Sequence, residues 1–196
     1  FRSLMPMYNG TSLLHHPPAG PTVAVDLDVC LTGVGCKSGN HYYMEELPPF
    51  LTALQLSITH LEMMNILVAT RLFAPRWSGH TINLGCDNLA SVAVLQSGKA
   101  RDPILAGCAK QIWQFATTND FIIAPFHRSG EAMQALGVDA LSRSHLSPKF
   151  KTLVEQIAKN GTRLRVPPPT LCPASILRCF FPLTHLQQLP WAFSQQ

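Results

Sequence analysis

Short apolar runs bounded by turn residues recur along the chain and predict five strands. The first three, over residues 22–28, 31–37 and 41–44, follow one another closely with Gly and Asn between them, which indicates an antiparallel meander. Two further runs, over residues 81–86 and 121–126, stand farther apart. Their β-branched and aromatic residues are typical of strands that pack against a core.

Longer stretches with apolar residues at intervals of three and four predict the helices. The stretch over residues 58–74 has this spacing and meets Pro75, which is expected to end it. Other helices are predicted over residues 88–96, from Asp102–Pro103 onward, where Asp suits the N-cap and Pro the first position, and around residues 138–145. The order βββ-α-β-α-α-β-α predicts an α/β fold in which helices flank a five-stranded mixed sheet.

The two ends of the chain lack this periodicity. Residues 1–20 are rich in Pro, Gly and His and are interpreted as a linker. Residues 148–196 combine a basic segment with a Pro-rich stretch and are interpreted as a tail without a regular fold. The folded domain is therefore predicted to span residues 21–147, within a chain cut from a longer protein.

Composition narrows the class of protein. Of 196 residues, 46% are hydrophobic, enough for one core, and the formal net charge of +4 is compatible with nucleic acid as a partner. No apolar run reaches the roughly 20 residues of a membrane span. None of the six cysteines forms a C-x-x-C pair. These features predict a reduced intracellular protein, in the cytoplasm or nucleus, that does not enter a membrane.

Four carboxylates lie at the ends of predicted strands or on predicted helices. The chain has only 11 acidic residues, yet Asp28 ends one predicted strand and Asp87 directly follows another, while Glu62 and Asp139 lie on predicted helices. Converging carboxylates repel one another without a cation, so a protein has little structural reason to bring four together. Phosphodiester cleavage with two Mg²⁺ ions needs such a set of oxygen ligands. Asp26, on the same face of the strand as Asp28, competes for its role.

Each of these carboxylates also has a structural interpretation. Glu62 follows Thr59 by three residues, which is the spacing of a capping box. Asp87 or Asn88 would cap the helix that follows them, and Asp139 would cap the helix predicted around it. Asp28 would be a turn residue before Leu31–Gly33. Taken singly, these structural roles explain the residues about as well as catalysis does. Taken together, these roles do not explain why the four acidic residues lie, in chain order, at a strand, a helix, a strand and a helix.

Seven short motifs either contain one of the four carboxylates or lie between them in the chain. They are Asp28–Cys36 (DVCLTGVGC), Leu61–Met63, Cys86–Ala90, Ser97–Pro103, Ile112–Trp113, His127–Gly130 and Asp139–Arg143. In combination they resemble the ribonuclease H (RNase H) domains of retrotransposon reverse transcriptase polyproteins, especially the DIRS-like elements that carry a tyrosine recombinase. The resemblance covers residues 5–146. It implies an RNase H-like fold.

The resemblance also implies an activity and its residues. The domain would be an endonuclease that hydrolyses the RNA strand of RNA–DNA hybrids during reverse transcription, with two Mg²⁺ ions, or Mn²⁺ in their place. A reverse transcriptase would be linked to it covalently, with a recombinase domain as a candidate further neighbour. His127 would assist proton transfer or product release. The metal ligands would be Asp28, Glu62, Asp87 and Asp139. Contacts to the nucleic acid would come from Asn88, Lys99, Arg101 and Arg143.

Two alternatives remain open from the sequence. Val34 stands where the family usually has Trp, and the loop over residues 130–136 departs from the usual pattern, which suits a catalytically inactive module of the same fold kept as a structural connection. The second alternative is a related nuclease of this fold, an exonuclease or an integrase. Asp26–Asp28 taken with Glu62 matches well neither the opening Asp-x-Glu pair of those exonucleases nor the Asp, Asp, Glu order of those integrases.

Overall fold

The computed structural model describes residues 20–167 except Gln55, Ser144 and Leu146. The predicted linker and most of the predicted tail lie outside this part of the chain. The described residues form one mixed sheet with strand order β5-β4-β1-β2-β3-β6. Its strands are β1 (Thr22–Val29), β2 (Gly33–Ser38), β3 (His41–Glu46), β4 (Thr81–Cys86), β5 (Ile122–His127) and β6 (Thr162–Arg163).

The first three strands are the antiparallel meander that the sequence predicts. Strand β4 then pairs parallel with β1, and β5 pairs parallel with β4. Because β1 and β4 run in the same direction, their carboxyl ends lie at the same edge of the sheet. This edge is where Asp28 and Asp87 were expected to meet.

Seven helices surround the sheet in the described residues. They are α1 (Pro49–Ala53), α2 (Ile58–Trp77), α3 (Leu89–Ser97), α4 (Pro103–Thr118), α5 (Gly130–Ala135), α6 (Val138–Arg143) and α7 (Pro148–Asn160). Asp102 caps α4 as predicted, since its side chain accepts hydrogen bonds from the backbone of Ile104 and Leu105. None of these helices is long and apolar enough to cross a membrane.

The two faces of the sheet are covered by different helices. Consecutive strand residues point to opposite faces. Tyr43 lies on the main core with α2, where it packs against Phe73, and Phe73 packs in turn against Trp77 at a ring-centroid distance of 5.6 Å. Tyr42 lies on the other face, in a second apolar cluster with Leu141 of α6 and with α7. Helices α2 and α6, which carry Glu62 and Asp139, therefore approach the sheet from opposite sides.

Pro75 does not end α2 as predicted, because the helix continues through it to Trp77. The indole of Trp77 is buried, and its Nε1–H donates to the Ser38 hydroxyl at 3.1 Å. These tertiary contacts extend the helix past a residue that would otherwise terminate it.

The mixed α/β architecture is confirmed, but the sheet has six strands in the described residues where five were predicted. The sixth strand, β6, pairs with β3 and lies beyond the predicted domain boundary at residue 147. Helix α7 also lies there, and Val166 belongs to the main core with 3% of its surface exposed. The boundary was therefore placed too early.

The physical reason lies in α7, which the sequence interpretation treated as a basic segment. Its apolar residues Phe150, Leu153, Val154 and Ile157 form a stripe that packs against α6 and Tyr42. Lysines 149, 151 and 159 lie between or beyond these apolar residues. The segment was therefore interpreted by its charge and not by its apolar spacing. Helices α1 and α5 were also missed; they are five and six residues long, too short to show a period.

Candidate metal centre

Three of the four predicted carboxylates meet at the edge of the sheet where β1 and β4 end. Asp28 is the penultimate residue of β1, Asp87 directly follows β4, and Glu62 lies in the second turn of α2. They line a cleft of about 460 Å³. The complete lining is Asp28, Val29, Cys30, Leu31, Ile58, Glu62, Asp87, Asn88 and Arg143.

The carboxylates are close enough to shift one another's ionisation. Burial raises the pKa of the Glu62 carboxyl group well above its usual range, and the charges of Asp28 and Asp87 raise it further. Burial also raises the pKa of Asp28, and Asp87 adds to that rise. Glu62 is 1% exposed and Asp28 is 3% exposed, so water provides little screening between them. Ionising these carboxyl groups together therefore has a cost that a bound cation would offset.

Cys86 belongs to the same cluster, although the sequence interpretation did not single it out. Single ligand atoms of Glu62, Cys86 and Asp87 all lie within 4.8 Å of one another. The Cys86 Sγ–H donates to Glu62 Oε2 at 3.7 Å, and burial raises the thiol pKa well above its usual range. A hard cation such as Mg²⁺ prefers oxygen to sulfur ligands, so the carboxylate oxygens of the cluster are its better ligands. The position of Cys86 just before Asp87 at the end of a strand was the available signal.

Asn65, one turn after Glu62, fixes α2 to the strands beneath the site. Its buried side-chain amide donates to the backbone carbonyls of Asp28 at 3.1 Å and Gly35 at 3.0 Å. The Tyr43 hydroxyl donates to Asn65 Oδ1 at 2.6 Å, which completes the network. Buried polar groups with all partners satisfied hold one geometry strongly. Asn65 thus positions the helix that carries one carboxylate against the strand that carries another, a role that helical periodicity did not reveal.

Helix α6 reaches the site from the opposite face because β2 has glycines beneath it. A Cβ added at Gly35 would lie 2.7 Å from the backbone nitrogen of Ser142. One added at Gly33 would lie 2.8 Å from the His145 ring. This close approach allows the Ser142 hydroxyl to donate a hydrogen bond to Asp28.

Asp139 lies on α6, but the structure does not place it in the lining of the cleft. Its carboxylate forms an ion pair with the guanidinium group of Arg143, four residues later on the same helix. Arg143 lines the cleft together with Asp28, Glu62 and Asp87. Asp139, the fourth predicted ligand, therefore pairs with an arginine that lies in the same cleft as the other three carboxylates.

Asp26 has a different partner and does not compete for the role of Asp28. Its Oδ1 accepts a hydrogen bond of 2.7 Å from Arg128 Nε, and the Arg128 guanidinium lies 4.9 Å from the centre of the Phe126 ring. Asp26 is absent from the residues that line the cleft among those described.

The capping interpretation of Glu62 is wrong. Ser57 is the N-cap of α2, and it forms the capping box with His60 instead. The Thr59 hydroxyl accepts a hydrogen bond of 3.1 Å from Asn88 Nδ2. Glu62 is thus free of a capping role and points into the cleft.

Asn88 is the residue that caps α3. Its Oδ1 accepts a hydrogen bond of 3.0 Å from the backbone N–H of Ser91. Asp87 is therefore not the cap, and its carboxylate belongs to the cleft. Asn88, proposed from the resemblance as a contact to nucleic acid, lines the same cleft while it holds the start of α3.

The remaining predicted residues lie outside the cleft lining. His127 is exposed at the end of β5, where it is the register partner of Cys86. Lys99 and Arg101 are exposed in the connection between α3 and α4. Of the predicted nucleic-acid contacts, the structure brings Asn88 and Arg143 to the carboxylates and leaves Lys99 and Arg101 apart from them.

No family model matches the chain, and neither the curated proteins nor the solved structures include a match to it. The geometry of the cleft and the motifs of the sequence are therefore what a functional proposal has to rest on.

Proposed function

We propose that the chain contains an RNase H-like domain that acts as a metal-dependent endonuclease on the RNA strand of RNA–DNA hybrids during retroelement reverse transcription. The observation that carries this proposal is the convergence of Asp28, Glu62 and Asp87 in one cleft from β1, α2 and the end of β4. The motif resemblance assigns metal ligands to the same three residues. The geometry and the resemblance thus agree on three of the four expected ligands, and Asp139 is the exception.

The donor set suits a hard divalent cation. Carboxylate oxygens are the protein ligands that Mg²⁺ prefers, and Mn²⁺ accepts the same ligands. Asp28, Glu62 and Asp87 would hold the metal, and the protonated Cys86 thiol would hydrogen-bond to Glu62 without becoming a ligand. When bound, two such ions activate a water molecule and stabilise the leaving oxygen of a phosphodiester.

The chain's own residues supply position and charge. Ser142 orients the Asp28 carboxylate through its hydrogen bond, and Asn65 fixes the backbone of the same residue. The carboxylates repel a phosphate when no cation is present. Arg143, at the side of the cleft, carries a positive charge that favours a substrate phosphate near the carboxylates.

A second candidate is a catalytically inactive module with the same fold. The observation that favours it is the Asp139–Arg143 ion pair, because it engages the carboxylate expected as a fourth ligand. An inactive domain would keep the buried cleft as a remnant and would serve as a structural connection within a longer protein.

A cleavage assay with one substitution separates these candidates. We expect the full chain to cleave a labelled RNA–DNA hybrid in Mg²⁺ but to leave duplex DNA and duplex RNA intact. Asp87→Asn should reduce the rate by at least about 100-fold, since one metal ligand is lost. The matched control is Asp120→Asn, which makes the same chemical change at an exposed residue with a φ of 54°, a conformation that Asn tolerates.

The outcomes are distinct. Equal loss in both variants would mean that the change acts through something other than the cleft. Cleavage of duplex DNA in preference to the hybrid would favour a related nuclease. No cleavage by the unaltered chain, with its fold intact by circular dichroism, would favour the inactive module.

A further inference from the structure

A cation that belongs to the protein already lies beside the carboxylates. The Arg143 guanidinium pairs with Asp139 and lines the cleft with Asp28, Glu62 and Asp87. The side chain is 32% exposed, whereas that of Asp139 is 10% exposed. Arg143 therefore spans the distance between the buried carboxylates and solvent.

We infer that Arg143 is a built-in counter-ion that competes with divalent cations for the carboxylate cleft. In this arrangement the guanidinium partly neutralises the site and holds Asp139 in an ion pair. Loading of a divalent cation displaces Arg143 and frees Asp139 to turn toward the other carboxylates. This inference deepens the proposed function and rests on it for the identity of the site.

The chemistry of arginine suits this role. A guanidinium group stays charged at every physiological pH, so the counter-ion cannot be lost by deprotonation. Arg143 is the last residue of α6, a helix of six residues, and its side chain has solvent on one side into which it can move. A buried partner with no exit would instead lock the site permanently.

The position of α6 makes the competition direct. Gly33 and Gly35 let the backbone of α6 approach β2, and Ser142 contacts Asp28 at the same point. The residue after Ser142 is thereby held next to the same carboxylate. Once displaced, Arg143 remains at the mouth of the cleft, where a phosphate is a better partner for it than water.

The test measures metal binding without nucleic acid. Mn²⁺ is titrated into the full chain and followed by calorimetry and by the melting midpoint, for the unaltered chain and for Arg143→Gln. We expect Arg143→Gln to bind Mn²⁺ about tenfold more tightly, since a competing positive charge in the lining of the cleft is removed. In chelator its midpoint should be lower, and the rise on adding Mn²⁺ should be larger.

Two variants keep the comparison specific. Arg143→Lys retains the charge and should bind Mn²⁺ much as the unaltered chain does. Arg76→Gln removes an exposed arginine in the last turn of α2, 14 residues after Glu62, and should leave Mn²⁺ binding unchanged. Affinity that rises equally in Arg76→Gln and Arg143→Gln would reduce the effect to net charge and overturn the inference.

The remaining outcomes separate this inference from the nuclease proposal. Arg143→Gln binding Mn²⁺ no more tightly than the unaltered chain would overturn the counter-ion alone, whether or not hybrid is cleaved. Tighter binding by Arg143→Gln, with no cleavage by any variant, would support the counter-ion and count against the nuclease. Absence of Mn²⁺ binding in every variant would overturn both.

Discussion

The Glu62 carboxyl group is nearly inaccessible to solvent and lies between two other carboxylates. In the folded, metal-free chain its pKa is raised above the value in the unfolded chain, so the group lowers stability at any pH above the unfolded pKa. We predict that Glu62→Gln raises the free energy of unfolding at neutral pH in chelator. The gain should disappear below a pH of about 4, where Glu is protonated in both states.

The measurement is denaturant unfolding of Glu62→Gln and the unaltered chain at both pH values. Glu131→Gln, an exposed substitution on α5, is the control and should change little. A lower stability of Glu62→Gln at neutral pH would mean that the ionised carboxylate is held by a partner that outweighs its burial. In Mn²⁺ the order should reverse, because Gln is a poorer ligand.

Side-chain partners mark the limit of sequence interpretation at this scale. Asp28, Glu62 and Asp87 were identified because each ends a strand or lies on a periodic helix, and such positions are visible in the sequence. Cys86 was missed because its contact with Glu62 depends on how α2 crosses the sheet. The Asp139–Arg143 pair has the i, i+4 spacing of a helical ion pair. Whether Asp139 pairs with Arg143 or turns to the cleft depends on tertiary distances that the sequence does not give.

The position of helix α6 depends on Gly33 and Gly35 of β2, which leave room for its close approach. We predict that Gly35→Ala destabilises the domain by about 1–3 kcal/mol, because the new methyl group would press on α6. Cleavage should fall more than stability does, since the Ser142 hydroxyl moves away from the Asp28 carboxylate. Thermal melts and the hybrid assay, run on the same samples, measure both effects.

Gly130→Ala is the matched control for this change. An added Cβ at Gly130 meets nothing within 4 Å, and the residue begins α5 without a positive φ. Alanine there should be neutral or stabilising by about 0.4–1 kcal/mol. If Gly35→Ala were equally harmless, α6 would have enough freedom to retreat and the close approach would not determine the site.

Most of the longer elements were predicted, with α7 as the exception. Helix α4 has both an Asp102 cap and a clear apolar stripe, and its start was predicted correctly. Strand β6 has two residues, both exposed, so no alternation exists to indicate it. It forms because α7 returns the chain to the side of β3, and that return is a tertiary event.

For the whole molecule, the end of the folded domain has to be moved beyond residue 147. We predict that a chain ending at Ser147 melts at a midpoint lower by on the order of 10 °C than one ending at Pro167, because α7 no longer covers Tyr42 and Leu141. Ending at Arg165 should cost less but still lower the midpoint, since Val166 is part of the core. Calorimetry of the three lengths decides the order. Equal midpoints would mean that α7 contributes no stability to the domain.

Strand β6 has a further consequence, for self-association. A sheet edge with unpaired backbone groups invites strands from other molecules, and proteins block such edges with a proline or a covering segment. Here Pro125 stands in the middle of β5 at one edge, and Thr162 and Arg163 cover part of β3 at the other. Loss of Thr162 and Arg163 would therefore leave the edge of β3, which carries Tyr42 and Tyr43, open to strands of other molecules. Aggregation, more than unfolding, would then limit how much of the shortened protein stays in solution.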